Sequence, residues 1–186
     1  MRIAGLVLAG GEGRRMGGAD KALLRLNGAT LADHVIGRLA SQVAVMAVSY
    51  NGDSGRFSLP VLPDAMAGQG PMAGILAGLR WARAMGADRM ATAATDTPFF
   101  PADLVARLAE AEAPVALAAG PDRLHATFGL WTPARLPELE AAMQDGERSI
   151  RRIAGRLGMV EVSFPDDAAF FNINTAKDLA DANARH

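Results

Sequence analysis

The first 21 residues constrain the fold more than any other stretch. The apolar run Ile3–Leu8 leads directly into Leu8-Ala9-Gly10-Gly11-Glu12-Gly13-Arg14-Arg15-Met16-Gly17-Gly18-Ala19-Asp20-Lys21, which holds five glycines and three basic residues. A short, continuous apolar run closed by glycine reads as a strand covered on both faces. Glycine lets the backbone approach an anion and turn N–H groups toward it, so the loop can cradle phosphates. Two common loops of this kind do not match: a dinucleotide fingerprint from Gly11 and Gly13 requires glycine where Met16 stands, and a Walker A loop requires Gly-Lys-Ser/Thr where Asp20-Lys21-Ala22 stands. Lys21 and Lys177 are the only lysines, against seventeen arginines, which suggests that a compact ammonium is wanted at the end of this loop. The alternative is a surface loop with a solvated lysine. The first 60 residues carry seven basic and four acidic side chains and the remainder twelve and sixteen, so positive charge gathers near the loop.

The rest of the chain repeats the theme of short apolar runs between helical patterns. Strands are expected at Ile3–Leu8, Val43–Ser49, Met90–Thr95, Val115–Ala119 and Val160–Ser163, with Phe128–Trp131 as a candidate extra strand. Leu31, Val35 and Leu39, and then Met72, Ile75, Leu76 and Leu79, draw apolar stripes on helix faces. Thr30 with Asp33 and Thr175 with Asp178 fit capping boxes, and Pro71 and Pro101 suit first helical positions. Alternating strand and helix means an α/β fold with a mostly parallel central sheet. A single domain over residues 1–186 is expected from the length. Ligands of such sheets gather beyond the carboxyl ends of the strands, so chemistry belongs in the loops after Leu8, Ser49 and Thr95.

Composition removes several functions. A net charge of -1 is too balanced for bulk binding to nucleic acid or an anionic membrane, and with no cysteine there is no disulfide, thiolate nucleophile or zinc finger. The nine apolar residues from Ile3 to Gly11 are too short for a leader, since Glu12, Arg14 and Arg15 follow at once. A cytoplasmic, monomeric protein is expected, with no nucleic-acid or membrane partner. Gly52-Asp53-Ser54-Gly55 has the look of a protease nucleophile loop but lacks its context and reads as a turn, and His34, His125 and His186 lack metal-ligand spacing.

Leu8-Ala9-Gly10-Gly11, Arg15-Met16-Gly17-Gly18 and Asp20-Lys21 resemble the signature loop of molybdenum cofactor guanylyltransferases, of the nucleotidyltransferase superfamily. Ser49-Tyr50-Asn51, Pro63-Asp64, Gly70-Pro71-Met72-Ala73-Gly74, Thr95-Asp96-Thr97-Pro98, Phe128-Gly129-Leu130-Trp131 and Asn172-Ile173-Asn174-Thr175 follow in the family's order. The resemblance implies a Rossmann-like three-layer fold of the nucleotide-diphospho-sugar transferase type. It also implies transfer of GMP from GTP to the terminal phosphate of molybdenum-molybdopterin, with release of pyrophosphate.

By the same resemblance, Lys21, Arg15 and Asp96 are the catalytic groups, with Mg²⁺ as cofactor held by Asp96. Leu8, Ala9, Gly10, Asn51 and Asp64 bind GTP together with Lys21 and Asp96, and Asn172 and Asn174 face the pterin. From the residues alone, a turn or cap before Pro98 is the more common role for Asp96, which the resemblance reverses, and Asn172-Ile173-Asn174 equally fits a strand end feeding a capped helix. The chain departs from the family at Thr95, where cysteine is usual, at Ala176, where proline is usual, and at His125-Ala126, where His-Pro is usual; His125 is therefore expected to be structural. The alternatives are a CTP-dependent molybdopterin cytidylyltransferase, another NTP transferase with a phosphorylated acceptor, and a non-catalytic module delivering cofactor to molybdoenzymes or their chaperones.

Overall fold

Strand β1 (Ile3–Leu8) shows why its sequence is apolar throughout. Ala4, Leu6 and Leu8 pack into one core and Val7 into another, on the opposite face. The computed structural model describes residues 1–10, 20–64 and 70–184. After β1 come a short antiparallel ribbon of β2 (Arg25–Leu26) and β3 (Ala29–Thr30), then α1 (Leu31–Ala40), β4 (Val45–Ser49) and β5 (Val61–Leu62). The chain continues through α2 (Pro71–Ala84), β6 (Arg89–Ala94), α3 (Leu104–Glu110), β7 (Val115–Ala119) and β8 (Leu124–Trp131). It ends in α4 (Leu136–Gln144), α5 (Ile150–Arg156), β9 (Met159–Ser163) and α6 (Ala176–Ala184).

The main sheet has seven strands in the order β5-β4-β1-β6-β8-β7-β9. Only β8 runs antiparallel to its neighbours. Helices α2, α4 and α5 cover one face and α1 and α3 the other, so the fold is a three-layer α/β sandwich. From β1 the chain winds outward to β4 and β5, then crosses back to β6 on the other flank of β1. The winding therefore reverses between β1 and β6, and a crevice opens beyond their carboxyl ends at Leu8 and Ala94.

Local signals explain most boundaries. Thr30 and Asp33 form both bonds of the capping box at α1, Pro71 opens α2, and Thr175 and Asp178 cap α6 reciprocally. Two glycines set helix α2 on the sheet: a Cβ at Gly74 would collide with Ser49 Oγ, and one at Gly78 with Leu6. Pro101 does not open a helix. Leu104 N–H donates to Pro101 O in a preceding turn, and α3 begins at Leu104. The candidate strand at 128–131 is the second half of the longer β8. The ribbon turns on Asn27 (φ 48°) and Gly28 (φ 90°), an Asn-Gly pair suited to two left-handed residues in a row. The stretch from 52 to 55 holds a turn in which Asp53 caps a single 3-10 turn at Ser54–Arg56.

Candidate active site

Around the crevice the site residues fall into two groups. On the β4 flank, Asn51 Nδ2 donates to Asp64 Oδ2 (2.7 Å) and the Asp64 N–H donates to Asn51 Oδ1 (2.8 Å). Ser49 Oγ adds a third bond to Asp64 at 3.3 Å. Both residues follow parallel strands of adjacent register, Ser49 opposite Leu62, which brings Asn51 and Asp64 level. Gly10 belongs to the same group: a Cβ there would stand 4.0 Å from Asn51 Nδ2 and from Asp64 Oδ1. Ala9 N–H donates to Ser49 O (3.0 Å) and Thr95 N–H to Leu8 O (3.2 Å), so these two backbone groups extend the sheet as the chain leaves β1.

On the β6 flank, Lys21 lies on a 3-10 turn (Lys21–Leu23) capped by Asp20, whose side chain accepts from Ala22 N–H. Its ammonium stands 3.2 Å from Asp96 Oδ2 and 2.6 Å from Asn174 Oδ1. Asp96 follows β6 and stays partly exposed, with its side chain 31% accessible. Thr97 is buried and donates through Oγ1 to Asn172 Oδ1 at 2.5 Å. Ile173 explains how two asparagines reach two partners. Its side chain is buried with Leu26, Leu31 and Ala182, and its N–H donates to Asp96 O at 2.7 Å. The backbone is pinned between the asparagines, and their amides turn to Thr97 and Lys21. Asp178 braces the end of the segment by accepting from the N–H groups of Asn174 and Thr175, bonds that hold its carboxyl below the usual range.

The structure thus brings together Gly10, Asn51 and Asp64 in one group, and Lys21, Asp96, Asn172 and Asn174 in the other. Leu8 and Ala9 lie at the floor between them. Arg15 falls in residues 11–19, outside those described. Thr95, where the family's cysteine is usual, is buried and gives its hydroxyl to Leu8 O (3.4 Å), a packing role at the end of the strand. Sequence reading missed Thr97, Asp20 and Tyr50. The Tyr50 hydroxyl donates to Asp20 Oδ2, which links the residue before Asn51 to the residue before Lys21, and so joins the two groups. That bond, with burial, pushes the phenol up to about 12. The available signal was position: each of the three is adjacent to a residue already singled out.

Residues 5–161 match the MobA-like NTP transferase domain. The chain is 50% identical to the molybdenum cofactor guanylyltransferase of Cereibacter sphaeroides over 188 residues, covering 99% of this chain and 97% of that one. It is also 50% identical to the enzyme of the same name from Rhodobacter capsulatus over 192 residues, covering 100% and 97%. Among solved structures, molybdopterin-guanine dinucleotide biosynthesis protein A from Archaeoglobus fulgidus superposes with a TM-score of 0.79 at 26% identity, covering 98% of this chain and 97% of that one. A 4-diphosphocytidyl-2C-methyl-D-erythritol synthase from Anaerococcus prevotii has a TM-score of 0.74 at 11% identity over 99% and 95% of the two chains, a likeness of fold alone. With a family match over most of the sheet and half its residues shared with full-length relatives, the chain is a nucleotidyltransferase that belongs to the molybdenum cofactor guanylyltransferases, within the MobA-like NTP transferase family.

Proposed function

We propose that the chain transfers GMP from GTP to the terminal phosphate of molybdenum-molybdopterin, forming the guanine dinucleotide cofactor and releasing pyrophosphate. The observation that carries this reading is the Lys21 ammonium set between the Asp96 carboxylate and the Asn174 amide, at the reversal of the sheet. The acceptor phosphate is already an anion and needs no general base. Its oxygen attacks the α-phosphorus of GTP, and the bond from that phosphorus to the bridging oxygen of pyrophosphate breaks. Rate then comes from alignment and from neutralising charge.

Lys21 supplies donors to the triphosphate, together with Arg15 and the backbone of the glycine-rich loop. Gly10, Asn51 and Asp64 take the nucleoside, and Asn172 and Asn174 face the pterin. Leu8 and Ala9 join Gly10 in meeting GTP through the backbone, and the sheet bonds of Leu8 O and Ala9 N–H set the path of the chain there.

Asp96 also suits Mg²⁺. Its carboxylate is partly exposed, just beyond the carboxyl end of β6. One carboxylate completed by phosphate oxygens is a usual arrangement for Mg²⁺. Bound there, the ion would neutralise charge on the phosphates.

The test is pyrophosphate release by purified protein with molybdenum-molybdopterin, comparing GTP, CTP and ATP. A site that hydrogen-bonds a substrate group rejects an analogue lacking it by roughly 10⁴. GTP should therefore dominate strongly. Equal turnover with CTP replaces the guanylyl reading with a cytidylyl one, and no turnover with any nucleotide leaves a delivery module.

A further inference from the structure

We propose that His125 is a positioning residue for the transfer: its imidazole fixes the 3-10 turn Asp167–Phe170, from which the two acceptor-side asparagines emerge. The proposal rests on the reading of Asn172 and Asn174 as that side of the site. Where β7 and β8 pair, Leu117 stands opposite Gly129 and Ala118 opposite His125, so residues 126–128 leave the register. Such an irregularity re-aims a side chain. Here it delivers a histidine, 8% exposed, against the turn.

Two contacts join His125 to that turn. Nε2 lies 3.1 Å from Asp167 Oδ1, and the ring stacks on Phe170 with centroids 4.2 Å apart and planes 13° apart. Phe170 is fully buried and also meets Phe128 and Phe164 edge-on, at 5.3 and 5.5 Å. Arg123 donates to Phe170 O at 3.3 Å. The carboxylate of Asp167 lies so close over Gly120 that a Cβ there would overlap it and stand 3.0 Å from His125 Nε2. Two residues after Phe170 the chain reaches Asn172, bonded to Thr97, then Ile173 N–H on Asp96 O, then Asn174 on Lys21.

An apolar side chain would fill the space beside Phe170 without desolvating a polar ring. What imidazole adds is direction. The carboxylate can only accept, so the bond is donated from Nε2–H, while burial pushes the proton affinity of the ring down against the opposing pull of Asp167. One directional bond and one stacked face set both the height and the rotation of the turn, and hence where the asparagine amides arrive. A core residue that merely fills volume would not distinguish the acceptor side of the site from the nucleotide side.

That difference is the experiment. For His125→Ala, the KM for molybdenum-molybdopterin should rise about tenfold, and more than the KM for GTP, whose nucleoside side at Asn51 and Asp64 the segment does not touch. In the free protein, amide exchange at Ile173 should accelerate about tenfold as its bond to Asp96 O loosens. Asn174→Ala is the benchmark, raising the acceptor KM by itself. Unchanged exchange at Ile173 in His125→Ala overturns the proposal. So does faster exchange with an unchanged acceptor KM, where Asn174→Ala does raise it. If Asn174→Ala leaves the acceptor KM unchanged, the acceptor-side reading of the segment is what fails, and exchange at Ile173 alone decides whether His125 holds it. Should His125→Ala fail to fold, Asp167→Ala and Asp167→Asn decide it by the same two readouts: asparagine still accepts from Nε2–H and should restore most of the loss, and equal loss in both overturns the proposal.

Discussion

On the β4 flank of the crevice, Asn51 and Asp64 exchange two hydrogen bonds across 13 residues of chain. On the β6 flank, Lys21 reaches 75 residues to Asp96 and 153 to Asn174, and Thr97 reaches 75 to Asn172. The first half is built from neighbouring strand ends and is in place once β4 and β5 pair. The second needs the turn Lys21–Leu23, the end of β6 and the approach to α6 all seated together. Such a division suits a two-substrate enzyme. On the proposed reading, the nucleoside is met by a local pair of strand ends, while the triphosphate and the acceptor are met by groups that come together only when the whole fold is complete.

The largest effect expected is at Asp96, where the long-range contacts meet. Asp96→Asn should lower kcat by about 10³ or more, since the amide keeps the shape but loses the charge that faces Lys21 and that is proposed to hold Mg²⁺. Ile173 bonds to the Asp96 backbone oxygen, which the substitution leaves in place, so the 172–174 segment should stay seated and Tm should barely move. Activity that persists at limiting Mg²⁺ would return Asp96 to the role of a turn residue. Lys21→Ala should cost about 10²–10³ in kcat, as for a single donor aimed at developing charge. The pair it leaves is partly exposed, with side chains 23% and 31% accessible, so thermal melting should again change little.

A smaller effect separates the two regions directly. Asn51→Ala and Asp64→Ala should each raise the KM for GTP about tenfold, and together scarcely more than either alone, because each is the other's partner. Asn174→Ala shares no hydrogen-bond partner with them among the bonds described here, and its effect should add to theirs within about 0.5 kcal/mol. Strong coupling between Asn51 and Asn174 would mean that the halves are one unit after all.

The contrast between local and distant contacts also decides what was legible in the sequence. β1 and β7 were readable to the residue, because strands covered on both faces are apolar without interruption. The Thr30 and Thr175 caps were readable because a capping box lies within four residues. The β2–β3 ribbon went unread despite its Asn27-Gly28 turn, since two-residue strands show no alternation. Helices α4 and α5 were missed although Leu136, Leu139 and Met143, and Ile150 with Ile153, keep helical spacing, because polar and charged residues dilute each short stripe. At the site, the resemblance supplied the residues and the structure supplied their grouping. No local pattern says that Thr97 meets Asn172, or that a histidine at 125 meets an aspartate at 167; those pairings depend on strand order and on a break in the β7–β8 register.

The smallest predicted effect on turnover tests the side-chain bond between Tyr50 and Asp20, which joins the two regions. Tyr50 is the only tyrosine of the chain, so its ionisation can be followed alone by tyrosinate absorbance. Its hydroxyl donates to Asp20, and losing that proton would set a phenolate against a carboxylate, which together with burial holds the group up at about 12 instead of 10. The sign follows from linkage. A folded-state value raised above the unfolded one contributes stability that is complete below pH 10 and is lost as pH rises through about 12. Asp20→Asn removes the negative charge, should return the titration toward 10, and should lower Tm slightly at pH 7, because the neutral amide accepts a weaker bond from the phenol. Because Asp20 also caps the turn that carries Lys21, and asparagine still accepts there, turnover should fall only a few-fold, by about 1 kcal/mol or less. A Tyr50 that titrates near 10 in the parent protein would leave the two halves of the site joined only by the sheet beneath them.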